Sequence, residues 1–203
     1  MNKLLAFALP FSVYVSAFLL SDLLGFYLSY ALRAVLTFGL ICYFWKQYEI
    51  KFRFSGFAVF MGVLVIVVWL LLENQFISVE PSAFDPFESG MGYIVMAVKI
   101  FSMVVVAAVV EEIFARSFLI RFLVDPQNWD KVKMGTFRWF SFAVSVLFFG
   151  FMHSRWIQGI AAGVLFNIVY YKTKRLDACI ICHAVANLIL AAAAIITQNW
   201  YIW

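Results

Sequence analysis

A chain of 203 residues is the size of one folding unit, and 66% hydrophobic against 13% charged residues excludes an ordinary water-soluble domain. A small domain keeps much of its surface exposed, so 24 Phe and 7 Trp call for a solvent other than water. The net charge of +4 comes from 15 basic and 11 acidic residues dispersed along the chain, which makes no stripe for nucleic acid and reads as a topology signal.

A membrane-crossing helix needs about 20 mostly apolar residues. In chain order the candidates are Leu4–Leu20, Leu23–Trp45, Phe54–Leu72, Gly92–Val124, Phe137–Trp156, Ile157–Tyr171 and Ala178–Thr197. The expected fold is all-α, a polytopic transmembrane helical bundle of about seven spans, or eight, forming a single membrane domain over 1–203. The first segment resembles a signal peptide, with Val15-Ser16-Ala17 as a cleavage-like site, but apolar segments continue throughout, so an uncleaved first helix is expected. Gly92–Val124 is too long for one straight crossing and is expected to kink or to reach beyond the bilayer.

Connectors alternate in charge. Lys3, the Lys46/Lys51/Arg53 loop, the Arg121–Arg138 segment and Lys172/Lys174/Arg175 are basic, whereas Ser21-Asp22 and the Glu73–Glu88 stretch are acidic. Basic loops stay in the cytoplasm, which predicts the N-terminus inside, the C-terminus outside, and one misfit connector at Arg155. Trp200-Tyr201-Ile202-Trp203 has the composition of an interfacial anchor, and Gly159, Gly163 and Ala191–Ala194 are small residues that let helices approach. Cys42, Cys179 and Cys182 all lie in apolar runs, so no disulfide framework is expected.

Ionisable groups inside a bilayer are expensive and become functional candidates. The fourth span carries Glu111, Glu112 and Arg116, the fifth ends near His153, and the seventh holds His183 and Asn187; both histidines of the chain are in this set. Residues four apart share a helical face, so Glu112 and Arg116 are expected to pair, leaving Glu111 turned about 100° away as the free carboxylate. Phe149/His153 and His183/Asn187 repeat the spacing. At about 1.5 Å per residue, Glu111, His153 and His183 all fall within roughly 8 Å of the bilayer midplane.

A carboxylate beside a neutral imidazole can take a proton from water, and a second His with an Asn amide can donate to a developing oxyanion. Glu111, His153 and His183 could instead hold zinc, which would activate the same water. Two non-protease readings stand beside hydrolysis: a transporter or proton relay, and a non-catalytic immunity or sorting scaffold. Cys179-x-x-Cys182-His183 also fits a c-type haem attachment pattern, but it sits inside a helix near a basic loop and reads as apolar packing.

Glu111-Glu112-x-x-x-Arg116, Phe149-x-x-x-His153 and His183-x-x-x-Asn187, in that order, resemble the three motifs of the CPBP family of intramembrane proteases. That family includes the eukaryotic Rce1-type CAAX prenyl endopeptidase and the bacterial Abi proteins. The resemblance covers about 92–197, the expected catalytic core, with Ser117 where many members have glycine. The stretch from Glu111 to Trp203, with Ser117-Phe118-Leu119-Ile120-Arg121, Thr173-Lys174-Arg175-Leu176 and the Trp-rich end, further resembles a bacterial subset found beside exosortase sorting systems.

The resemblance implies an endopeptidase in a bacterial inner membrane. Its partners would be the lipid bilayer, a membrane-associated peptide or protein substrate, and an exosortase-type system. It also implies residue roles: Glu111 with His153 on water, His183 and Asn187 on the oxyanion, and Glu112, Arg116 and Phe149 in support. Metal-dependent and glutamate-type chemistry both remain open on these residues.

Overall fold

A computed structural model describes residues 3–16, 21–72, 86–87 and 90–202. All regular structure among them is helical. Seven principal helices are α1 (Lys3–Ser16), α2 (Phe26–Tyr48), α3 (Gly56–Leu71), α4 (Gly92–Val124), α5 (Trp139–Phe151), α6 (Trp156–Thr173) and α7 (Leu176–Thr197). The acidic Glu73–Glu88 stretch falls almost wholly outside the described residues, as does the residue at the C-terminal end of the aromatic anchor.

The segmentation follows local chemistry. Ser55 caps α3 by accepting the Ala58 N–H at 3.2 Å. α2 and α6 end on Glu49 and Lys174 in the left-handed conformation, with φ of 54° and 56°. α2, α4 and α7 are long and apolar enough to cross a bilayer, while α1, α3 and α5 are apolar but shorter than the spans expected from sequence. The chain is an all-helical integral membrane protein.

α4 runs for 33 residues, about 50 Å at the α-helical rise, so it extends past a hydrocarbon core of about 30 Å. It does so without a proline or a break. Instead, π-helical stretches at Ser102–Ala107 and Ile113–Leu119 bracket a short α segment, Ala108–Glu112. Such π turns are rare and gather at functional sites. Here they flank the two glutamates.

Two cores meet along α4 and α7. One joins α1, α2, α4 and Trp129, with Phe11 stacked on Phe114 at 4.2 Å. The other joins α3, α6 and α7 around Phe166 and Tyr170. Glycines set the close approaches: a Cβ on Gly62 of α3 would lie 2.6 Å from the Cys182 carbonyl oxygen of α7. In the α5–α6 hairpin, a Cβ on Gly159 would lie 3.0 Å from the backbone of Gly150. Cys179 and Cys182 are buried and free, in keeping with apolar packing.

Candidate active site

Glu112 and Arg116 are fully buried and joined by a hydrogen-bonded ion pair, Nη1 to Oε1 at 3.0 Å. The guanidinium also lies over the Phe149 ring at 4.8 Å and the Phe166 ring at 5.3 Å, and a terminal nitrogen reaches the Gly163 carbonyl at 3.5 Å. Phe149 thus packs against the cation beneath the site. A pair taken this far from water persists only with such compensation.

His183 joins the pair. Its Nδ1 lies 3.0 Å from the same Glu112 Oε1, and its ring stacks on Phe166 at 4.7 Å. Arg116 already balances the carboxylate, so a neutral imidazole completes an electroneutral cluster. Nδ1–H is then the donor, which leaves Nε2 as an acceptor. The expectation of His183 as an oxyanion donor therefore needs a second proton on that ring.

His153 departs from its expected setting. It lies beyond the end of α5, in the 152–155 turn before α6, so it does not share a helical face with Phe149. The spacing still matters, because Nδ1 lies 2.8 Å from the Phe149 carbonyl. A carbonyl can only accept, so Nδ1 carries the hydrogen, and in the neutral ring Nε2 holds the lone pair. Trp69 closes on the ring edge-to-face at 5.9 Å.

Asn187 donates Nδ2 to the Met103 carbonyl at 2.8 Å, within the first π stretch of α4. This bond ties α7 to α4 and leaves the second amide hydrogen and Oδ1 of Asn187 for other partners. Glu111 is half-buried, one residue before Glu112 and on a different face.

One cavity of about 300 Å³ gathers Glu111, His153, His183 and Asn187 in its lining. Glu112 and Arg116 stay behind the wall. Lys99 and Arg155 also line it, as do Tyr14 and Tyr30, the two rings that sandwich the Arg33 guanidinium at 4.4 and 4.3 Å. Lys99 and Arg33 are buried cations that the sequence reading passed over. Both stand inside predicted spans, so the rule that singled out the glutamates applies to them as well. Arg155, the misfit connector, is thus a cavity residue.

The zinc alternative does not find its ligands. Among the described residues no three His, Cys, Asp or Glu side chains come together closely enough to hold a metal ion, so Glu111, His153 and His183 form no such tripod.

Comparison with curated proteins and with solved structures returned no match. A family model does match: residues 93–189 fit that of the Rce1-like type II CAAX prenyl endopeptidases. The matched span begins at the first turn of α4 and ends in the second half of α7, so it encloses all three motifs, while Tyr14, Tyr30 and Arg33 lie outside it. Over residues 93–189 the chain is thus similar to the Rce1-like type II CAAX prenyl endopeptidases.

Proposed function

We propose that the protein is an intramembrane endopeptidase of glutamate type, in which Glu111 and His153 activate a water molecule. The observation that carries this reading is the single cavity lined by Glu111, His153, His183 and Asn187, with the Glu112–Arg116 pair buried outside it. His153 Nε2 accepts from the water and orients it, and Glu111 takes its proton as the oxygen attacks the scissile carbonyl. The free amide hydrogen of Asn187 donates to the oxyanion. His183 lines the same cavity, held by its bond to Glu112, and assists at the oxyanion in its doubly protonated form. Glu111 then returns the proton to the leaving nitrogen as the C–N bond breaks, yielding a carboxylic acid and an amine, which exchange the remaining proton to become carboxylate and ammonium.

The substrate is a membrane-associated peptide or protein, and a precursor handled by an exosortase-type sorting system is the first one to try. The setting we propose is a bacterial inner membrane with the N-terminus in the cytoplasm. The deciding experiment is Glu111→Gln, which keeps size and hydrogen bonding but removes the base. Loss of cleavage with an unchanged melting temperature in detergent supports the assignment; full activity in a correctly inserted variant overturns it.

A further inference from the structure

At the opposite end of α4 from Lys99, the segments after α2, α4 and α6 close around a second cavity of about 470 Å³. It has no lining residue in common with the cavity at Glu111. Its walls come from the first turn of α1, the end of α2, the Trp129–Met134 segment and the start of α7, which are helix ends and connectors. In a membrane protein this is the level of lipid headgroups.

Six basic side chains line it against three acidic ones. Two of the acids are already matched. Asp130 accepts from the Lys3 ammonium at 3.0 Å, and that contact holds its carboxyl below the usual carboxylate range. Asp177 is paired with Arg175 and accepts the Arg53 N–H at 3.0 Å. The third, Glu49, is exposed. Arg121 gives its nitrogens to the Val132, Ser117 and Asp130 carbonyls, which fix the side chain without cancelling its charge.

Lys51 and Lys174 make no ion pair among the described residues, and Arg53 shares the Asp177 carboxylate with Arg175. A second feature points the same way. The Gln47 amide nitrogen is buried at this cavity with no hydrogen-bond partner among the described residues, and a donor there asks for an acceptor. Unmatched cations beside an unmatched donor fit an oxygen-rich anion. The volume leaves room for more than a bare phosphate.

We propose that this cavity is an anion site for a phosphate ester, with the headgroup of an anionic phospholipid as its source in the bilayer. Lys51, Arg53 and Lys174 supply the charge, Gln47 donates to a phosphate oxygen, and Arg121 holds the floor in shape. The site does not rest on the peptidase reading, and its loss leaves the Glu111 cavity intact.

The test uses the full chain in neutral detergent, following melting temperature during titration with short-chain phosphatidylglycerol, short-chain phosphatidylcholine, glycerol 3-phosphate or inorganic phosphate. Phosphatidylglycerol should raise the melting temperature saturably, and phosphatidylcholine should not. The exposed triple substitution Lys51→Gln/Arg53→Gln/Lys174→Gln should need at least about tenfold more phosphatidylglycerol for the same rise, since each surface cation contributes about 1 kcal/mol toward an anionic headgroup. If glycerol 3-phosphate or phosphate matches the lipid at equal concentration, the site stands and its source is a free anion. Equal responses of parent and triple variant overturn the proposal, as does a parent that responds to none of the anions. Should the triple variant fail to fold, Lys174→Gln and Gln47→Leu singly carry the same comparison.

Discussion

His183 Nδ1 and Arg116 Nη1 both lie 3.0 Å from one oxygen of Glu112, so a motif on α7 and a motif on α4 share a single carboxylate. In the proposed mechanism, support and chemistry are therefore joined at His183. Substitutions there report on both.

Arg116→Ala leaves Glu112 as an uncompensated buried charge. Removing one partner of such a pair typically costs about 3–5 kcal/mol. The expected result is a large drop in melting temperature together with lost cleavage. The double variant Arg116→Met/Glu112→Met, which removes both charges, should recover much of the stability and none of the activity. A parent-like melting temperature for Arg116→Ala would show that the pair is dispensable.

Asn187→Ala should separate stability from turnover. It loses one bond to the Met103 carbonyl, about 0.5–1.5 kcal/mol net. An oxyanion donor is worth roughly 10²–10³ in rate. The variant should remain inserted and folded while its kcat falls by about that factor. An unfolded Asn187→Ala protein would instead assign the residue to the α4–α7 seam.

Lys99 faces the cavity close to the Tyr30 and Arg33 group, so it suits an anionic group on the substrate. For a peptide that Lys99→Gln still cleaves, KM should rise more than kcat falls. The rise should vanish for a substrate with that carboxylate amidated. An equal effect on both substrates would place Lys99 in packing.

Gly62→Ala tests the closest helix contact. Its Cβ would meet the Cys182 carbonyl oxygen at 2.6 Å and Val185 at 2.9 Å, both on α7. Overpacking of this kind costs about 1–3 kcal/mol. The melting temperature should fall although no polar site group is touched.

Orientation is tested by labelling Ser82→Cys in a background without Cys42, Cys179 and Cys182. The acidic connector is expected outside, so an impermeant reagent should label intact cells. Protection in intact cells with labelling after permeabilisation would reverse the orientation.

The apolar runs gave all seven helices, because burying backbone in lipid demands continuous helix and leaves a plain signature in hydropathy. The Glu112–Arg116 contact was equally legible, being local. The π turns were not: they follow from how α4 packs, and a regular 3.6-residue wheel carries no mark of them. The His183–Glu112 contact joins residues 71 apart in sequence and was missed for the same reason. His153 was placed on a helix because Phe149-x-x-x-His153 has helical spacing, although the helix stops at Phe151. Arg33 was legible as a charge inside a span, but its contact with Tyr14, a ring from another helix, was not.

Hydrolysis in a bilayer would need a supply of its second reactant, and the shortness of α5 bears on where it would enter. Thirteen residues reach about 20 Å from Trp139, so the turn bearing His153 and Arg155 stops about 10 Å short of the far headgroups. Its exposed polar backbone cannot rest against acyl chains. A polar turn at that depth is expected to draw the bilayer surface inward over the α5–α6 hairpin, while the longer α4 reaches through the full thickness. Under the proposed mechanism that depression would bring bulk water to His153.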